Sequence, residues 1–218
     1  MAALKGAFIN LGAGLLGALP NIVVFQFNPD RLTRTPKLVQ PPAPAKGAGG
    51  RNTSEQPGLP SESMSFTLRL DATDQLAAGN PIAAASGILP TLSALELLMF
   101  AKNRRSVDLF GLSKGPKTEL HPPNKLPTVL FFWGPFRILP VNITTMSIAE
   151  TQYDTLLNPI RAEVSVTLEV LTTDHLSNNQ GFARGAYDYT QGVKQVMAAL
   201  NLANAVEIGV SSSLSFSL

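Results

Sequence analysis

Two stretches of this chain alternate between apolar and polar residues, and this alternation constrains the fold more than any other feature. In residues 63–70, Met64, Phe66, Leu68 and Leu70 are separated by serine, threonine and arginine. In residues 163–170, valine or leucine stands at every even position, and glutamate, serine or threonine at every odd one. Successive side chains of a β-strand point to opposite faces. Both stretches are therefore predicted to be antiparallel strands with one buried and one solvated face.

Two apolar runs predict further strands. Residues 22–28 (IVVFQFN) are rich in β-branched and aromatic residues and end at the turn Asn28-Pro29-Asp30. Residues 128–133 (TVLFFW) are continuously apolar and end at Gly134-Pro135. Continuous apolar character is typical of a strand that is covered on both faces, so the second run is predicted to lie in the core.

A phase change in residues 136–148 indicates a bent strand. Val141 and Ile143 share one alternating face, but Met146 is out of phase with them. One slipped residue near Thr144-Thr145 predicts a β-bulge, which bends a strand where a barrel turns a corner.

Helical spacing appears twice. Leu92, Leu95 and Leu98 predict one short helix over residues 91–101, after Pro90. After a polar segment at residues 177–185, an apolar stripe predicts a second helix over residues 190–205; its members are Val193, Val196, Met197 and Leu200. Residues 208–218 alternate apolar residues with serines, so we predict a terminal strand that pairs with a neighbour.

Two long segments without periodicity complete the domain organisation. Residues 31–62 are dense in proline and glycine, and residues 102–127 form a basic loop. The basic loop is expected to face solvent, with contact to an acidic neighbour or phosphate as the alternative. We predict a mainly β fold with minor α: an antiparallel β-barrel domain with one flanking helix over residues 1–175, and a helix-strand extension over residues 176–218.

The composition limits the classes of function. Charged residues make up 15% of the chain and hydrophobic residues 44%, with a formal net charge of +2. This is too apolar for disorder and poor in charge for a soluble monomer, so we expect surface that other subunits cover. The small net charge provides no electrostatic basis for binding nucleic acid or an anionic membrane. The absence of cysteine excludes disulfides and is consistent with a reducing compartment.

The N-terminus (MAALKGAFINLGAGLLGALP) partly resembles a secretory signal peptide, because Lys5 precedes small and apolar residues. Asn10 interrupts the run, glycine is frequent, and no A-x-A site precedes Pro20. We therefore reject a signal peptide, and a secreted or surface module is the alternative. No stretch has about 20 uninterrupted apolar residues, so no spanning helix is predicted and the protein is expected to be soluble.

Few residues are candidates for chemistry. His121 and His175 lie in no nucleophile or metal motif and are interpreted as surface imidazoles. Asp71 and Asp74 follow a strand, where Asp-x-x-Asp is more typical of turn and cap hydrogen bonds than of acid-base catalysis. We predict no catalytic, metal-binding or cofactor-binding residue and no enzymatic activity. A hydrolase that uses these four residues is the weakest alternative.

Two further patterns are interpreted as structural. Gly12-Ala13-Gly14 precedes the first predicted strand instead of following one, so no dinucleotide fingerprint forms. Trp133 and its aromatic neighbours have only Arg137 as a basic companion, so we predict that they are core residues and no stacking platform for bases or sugars; the neighbours are Phe131, Phe132 and Phe136.

Four colinear stretches, spread over residues 6–171, resemble a known family. They are VVFQFNPDRLTRT, SFTLRLDATD, GILPTLSALELLM and PTVLFFWGPFRILPVNITTMSIAETQYDTLLNPIRAEVSVTLEVL. Their order and spacing resemble the N-terminal domain of contractile injection system tube proteins. This family includes the LysM-bearing adaptor of antifeeding-prophage and Photorhabdus virulence-cassette particles. FNP, LDATD, WG and LNPIRAEV are the most specific phrases.

The resemblance implies a fold and a role. The fold is a tube-type antiparallel barrel, six copies of which close into a ring around a channel. The ring lies in the baseplate, joins the spike hub to the inner tube, and templates tube growth. The implied partners are further copies of the chain, the spike or hub protein, inner-tube proteins, and other baseplate and sheath components. Such particles assemble in the bacterial cytoplasm. The peptidoglycan-binding LysM module of the adaptor has no counterpart in residues 180–218.

From the residues themselves, we predict that residues 64–70, 164–171 and 208–218 pair as strands within or between subunits. Head-to-tail contacts of this kind close into rings when the rotation permits. Channel-facing residues are expected among Ser65, Thr67, Arg69, Ser165, Thr167 and Glu169. Two alternatives remain: a monomeric β-barrel that binds a small ligand in its interior, and a repeating inner-tube subunit.

Overall fold

The structure is a computed structural model, which describes residues 4–11, 21–38, 59–99, 128–177 and 180–207. Seven strands and four α-helices lie in these residues. In chain order they are β1 (Ala7–Asn10), β2 (Asn21–Val24), β3 (Leu32–Lys37), β4 (Ser61–Asp71), α1 (Thr73–Ala77), α2 (Pro81–Ser86), α3 (Leu89–Glu96), β5 (Val129–Phe132), β6 (Ile138–Tyr153), β7 (Pro159–Val170) and α4 (Gly181–Glu207). Short 3-10 turns at Leu97–Met99 and Thr173–His175 follow α3 and β7.

The strands form one antiparallel sheet in the order β2-β1-β5-β6-β7-β4-β3. The prediction of a mainly antiparallel β fold is confirmed. Within the described part of the chain, no ladder joins the edge strands β2 and β3, so the sheet is open and a closed barrel is not seen.

The open sheet is strongly curled. Phe8 in β1 and Phe66 in β4 have ring centroids 6.2 Å apart, although β5, β6 and β7 separate their strands in the sheet. The concave face therefore wraps around one apolar core. Gln26 joins the two sides of the curl: its side-chain amide donates to the Asp71 carbonyl, and its side-chain oxygen accepts from the Asp71 N–H at 2.8 Å.

The strongest sequence patterns are confirmed in detail. In β4 and β7, the even-numbered residues from Met64 to Leu70 and from Ala162 to Val170 are buried, and the register pairs Met64 with Leu168. The continuously apolar β5 is buried on both faces, because α4 covers the side that carries Leu130. The register of β6 shifts between Ile143 and Thr145, which is the predicted bulge.

Two strand predictions need correction. The strand predicted over residues 22–28 ends at Val24, and a further strand, β1, pairs with it. The long loop predicted over residues 31–62 contains β3 and the start of β4. An edge strand tolerates a proline, since one of its sides needs no ladder hydrogen bonds, and β3 accordingly includes Pro36. The loop predicted at residues 102–127 lies outside the described residues.

The prediction of one flanking helix was wrong. Three short helices follow β4, and the helix predicted over residues 91–101 is α3, which ends at Glu96 before the 3-10 turn. The Asn80 side chain caps α2 by accepting from the N–H groups of Ile82 (2.9 Å) and Ala83 (3.2 Å). Helices α1 and α2 have only five and six residues, too few for a periodic pattern.

Helix α4 begins at Gly181, nine residues before the predicted start, and packs on the sheet beside β6. Strand β7 pairs with β6 only from Val141 onward, so it provides no partner for Ile138. The buried Thr190 hydroxyl of α4 takes this place: it accepts from Ile138 N–H (3.1 Å) and donates to Ile138 O (2.7 Å). Glu62, 8% exposed, contacts Arg34 and lies 3.5 Å from Lys194 of α4. The division at residue 175 stays a prediction, and residues 208–218 lie outside the described residues.

Candidate functional site

The convex face of the sheet carries rows of hydroxyl groups. One row crosses four neighbouring strands at paired positions, from β3 through β4 and β7 to β6: Thr33, Ser65, Thr167 and Thr145. A second row contains Thr67, Ser165 and Ser147, with the Thr67 and Ser165 hydroxyl oxygens 3.2 Å apart. We call these seven residues the hydroxyl face. The alternation of β4 and β7 dictates this surface, because their even positions fill the core.

Charged residues flank the hydroxyl face. Arg69 lies 3.3 Å from Asp30 and 3.6 Å from Glu163, and all three side chains are more than half exposed. Glu169 is at the other end of β7, opposite Ser63. Exposed ion pairs of this kind contribute little to stability. The part of the hydroxyl face that crosses the four strands, which we call the four-strand centre, is polar but uncharged. The charged side chains of Arg69, Glu163 and Glu169 lie at its margins.

An open cleft of about 1200 Å³ lies over one end of this face. Its floor includes Ser65, Thr67 and Ser165, and its wall is the connection between β2 and β3, with Lys5 beside it. The Lys5 ammonium donates to the Gln26 carbonyl at 2.8 Å. His175 does not line the cleft, and the described residues contain no group of three His, Cys, Asp or Glu side chains that could hold a metal ion.

Asp71 and Asp74 have different environments. The Asp71 carboxylate accepts from the Thr73 N–H (2.8 Å), so the predicted turn hydrogen bond is confirmed for it, although the N-cap of α1 is Ala72. Its Oδ2 lies 2.7 Å from Arg161 Nε, although the angle is not that of a hydrogen bond and this Nε has no acceptor. Desolvation raises the pKa of Asp71, but the Thr73 hydrogen bonds and Arg161 outweigh it and hold the pKa below its usual value. Asp74 is exposed in the first turn of α1.

The other candidates that the structure describes, His175, Trp133 and Phe136, do not line the cleft. His175 is exposed, and its Nδ1 is 3.0 Å from the Thr172 hydroxyl, as expected for a surface imidazole. Trp133 stacks on the buried Phe131 with centroids 5.7 Å apart, which confirms its place in the core. Phe136 is 60% exposed, so its core prediction was wrong: it lies in the turn before β6. His121, Gly12-Ala13-Gly14 and the basic loop lie outside the described residues.

Aromatic rings fill the concave side of the sheet. Nine ring pairs, with centroids between 5.2 and 6.5 Å apart, join Phe8, Phe25, Phe66, Phe131 and Trp133. A barrel that binds a ligand in its interior needs space there. The aromatic cluster occupies that position, so the polar convex face is the better candidate for function.

The strands predicted to pair within or between subunits are placed inside the sheet. Strands β4 and β7 pair with each other over nine residue pairs. The exposed edges of the described sheet are instead β2 and β3, and β2 presents Ile22 and Val24 to solvent. The predicted strand at residues 208–218 is outside the described part.

Two exposed apolar surfaces were not among the functional candidates predicted from the sequence. Leu156 and Leu157, in the turn between β6 and β7, are 76% and 78% exposed. The stripe at Val196, Met197 and Leu200 was predicted as a helix face, yet these side chains are also largely exposed. A leucine pair between the turn residues Asp154 and Asn158-Pro159 is the signal that identifies the first surface from sequence.

Comparison with known proteins adds no family. A scan against protein-family models finds no match for this chain, and a search of curated proteins finds none either. No helix in the described ranges is long and apolar enough to cross a membrane.

Proposed function

We propose that this chain is a structural subunit of a phage-tail-like contractile injection system. Copies of the chain form a ring, with six the expected number, in the baseplate or inner tube, and the ring joins the spike hub to the tube and templates tube assembly. The observation that carries the proposal is the uncharged hydroxyl face on the convex side of a sheet whose concave side is filled.

The hydroxyl face suits a channel lining. Serine and threonine hydroxyls both donate and accept hydrogen bonds, so they keep a surface wetted. Fixed charges would attract cargo of one sign and repel the other, and the four-strand centre carries none. Thr67, Ser165 and Ser147 form one of its two rows and are the residues we place in the channel.

The sheet edges suit lateral contacts. Edge strands expose N–H and C=O groups that a neighbouring chain can use, and β2 adds the exposed side chains of Ile22 and Val24. A head-to-tail contact between unlike edges closes into a ring if the rotation permits. The proposed partners are further copies of the chain, the spike or hub, inner-tube proteins, and baseplate or sheath components, assembled in the bacterial cytoplasm.

Two alternatives differ in what they need. A small-ligand barrel needs an empty interior, where the aromatic cluster lies. A repeating inner-tube subunit needs the same ring and the same channel face as the initiating ring. It differs only in copy number per particle.

Cysteine labelling of assembled particles tests the channel assignment. The chain has no cysteine, so Ser165→Cys introduces one thiol in the hydroxyl face. In the free chain, a small maleimide and a 5-kDa polyethylene glycol maleimide should both label it. In particles assembled with spike and tube proteins, only the small reagent should react. Equal labelling of particles by the large reagent would place this face outside and refute the assignment.

A further inference from the structure

Three cationic side chains lie around one buried carboxylate, where α4 approaches β3 and β4. Arg34 Nε donates to Glu62 Oε1, and Arg34 Nη2 contacts the same oxygen. Lys194 Nζ lies 3.5 Å from Glu62 Oε2. Arg137 is close enough to Arg34 and Glu62 for both charges to change its pKa. We call Arg34, Arg137 and Lys194 the basic cluster.

Elements distant in sequence bring the basic cluster together. Arg34 of β3 and Glu62 of β4 lie on the same face of neighbouring strands. Arg137 directly precedes β6, whose first residue is bound by the Thr190 hydroxyl, and Lys194 follows Thr190 by about one helical turn. Arg137 is the one basic residue in the sequence from 126 to 148, so only the fold reveals that it has cationic neighbours.

The basic cluster carries more positive charge than Glu62 balances. Three cations face one carboxylate, which leaves an excess of two positive charges. Within the described part of the chain, Arg34 and Lys194 pair with no other carboxylate, and no ion pair includes Arg137. Burial lowers the pKa of Arg137, and the charge of Arg34 lowers it further, against the opposing effect of Glu62. Partly buried cations that repel each other are unfavourable, so the cluster favours the binding of an anion.

The basic cluster also has hydrogen-bond donors to spare. An arginine side chain has five N–H donors and a lysine has three. Among the described residues, no acceptor is bound to the Arg137 guanidinium or to Arg34 Nη1, and the Lys194 ammonium contacts Glu62 alone. The side chains of Arg34 and Lys194 are 33% and 41% exposed, and Arg137 is partly exposed. An anion from solvent can therefore reach these donors.

We propose that the basic cluster binds a phosphate group. At neutral pH a phosphate group carries close to two negative charges, which matches the excess of the cluster, whereas a carboxylate carries only one. The planar N–H groups of arginine fit phosphate oxygens in pairs, and the lysine ammonium adds a compact charge. Glu62 holds Arg34 and Lys194 in place from the buried side. The inference goes beyond the proposed function, because it does not require that copies of the chain associate.

Isothermal titration calorimetry of the full-length chain with inorganic phosphate tests the site. We expect saturable binding of one phosphate per chain, and no binding of acetate at equal ionic strength. Arg137→Gln should weaken the affinity about tenfold or more, because it removes charge-assisted hydrogen bonds. Its melting temperature without phosphate should not fall, since no described carboxylate pairs with Arg137. Arg69→Gln is the matched control: it also removes one arginine charge, from exposed ion pairs with Asp30 and Glu163, and should leave the affinity unchanged.

Glu62→Gln tests the charge argument from the opposite direction. It increases the excess from two to three positive charges, so phosphate should bind about threefold more tightly or better. Phenyl phosphate distinguishes the source of the group: tighter binding than inorganic phosphate indicates a phosphate monoester, and equal or weaker binding indicates free phosphate.

Three results would overturn the inference. They are the absence of saturable phosphate binding, equal losses of affinity in Arg137→Gln and Arg69→Gln, and unchanged or weaker binding in Glu62→Gln. None of them bears on ring formation, so the proposed function and the phosphate site fail independently.

Discussion

Gly87 is the position where the packing of the helices on the sheet is most sensitive to one added atom. It ends α2 with φ 55° and ψ −127°, and a Cβ built there would lie 2.0 Å from the Pro159 carbonyl oxygen at the start of β7. The neighbouring Ile88 N–H donates to the same oxygen at 2.9 Å. We therefore predict that Gly87→Ala separates the helices from β7.

The cost has two parts. The first is conformational, about 1–2 kcal/mol for an L-residue with positive φ. The second is steric, because a carbon normally stays about 3.3 Å or more from a carbonyl oxygen. Moving the chains apart by more than about 1 Å removes the Ile88 hydrogen bond, worth about 1 kcal/mol, and disturbs the packing by about 1–3 kcal/mol. The free energy of unfolding should fall by about 3–6 kcal/mol in total.

Gly79→Ala is the matched control. Gly79 also has positive φ, 70°, but nothing lies within 4 Å of the position that a Cβ would take there, so only the conformational cost of about 1–2 kcal/mol applies. Urea unfolding of both variants at 25 °C measures the difference, with the slope against urea unchanged. If the two variants lose equal stability, the close approach of α2 to β7 is refuted.

Three further predictions concern polar groups. Thr190→Val leaves the backbone groups of Ile138 without their partner, so thermal unfolding should show a loss of about 1–3 kcal/mol. Glu62→Gln removes the negative charge next to Arg34 and should lower stability, with a smaller effect in 1 M salt than in 0.1 M salt if the charge is the cause. The pKa of Asp71 is lower in the folded state than its ordinary 3.8, so its contribution is present above that value and is lost as pH falls through the folded-state pKa. Stability measured from pH 7 to pH 2 should therefore fall less in Asp71→Asn than in the unmodified chain, and equal slopes would contradict the assignment.

Alternation made the centre of the sheet predictable. In β4 and β7 the buried and exposed positions follow directly from the two-residue period, and the bulge at Thr145 follows from the phase change. In both cases the signal lies within one continuous stretch. The polar composition of the hydroxyl face was therefore also predictable, because it is the other half of the same pattern.

The edges of the sheet were not predictable in the same way. β3 contains Pro36 and three exposed polar residues in a row, and it becomes a strand because β4 offers it a long partner. β1 is a four-residue strand that is completed from both sides, by β2 and by β5. Such strands depend on residues distant in sequence, so local propensity carries little information about them.

The exposed apolar surfaces were difficult to predict from the sequence for a different reason. Periodicity identified the stripe at Val196 and Leu200, but a period does not tell whether the stripe packs within its own chain. In α4 the face toward the sheet is formed instead by Ala183, Tyr187 and Thr190, two of which are small. The turn between β6 and β7 has no period at all, and only the exposure of Leu156 and Leu157 and the positive φ of Leu157 distinguish it.

The central claim is that copies of this chain form a closed ring. The most direct test is to co-express the full-length chain with spike and tube proteins and to measure the purified complex by mass photometry and negative-stain electron microscopy. The account predicts six-fold rings that contain about 140 kDa of this 23.2 kDa chain, on a tube or spike. A chain that stays at 23.2 kDa and binds neither partner would contradict it.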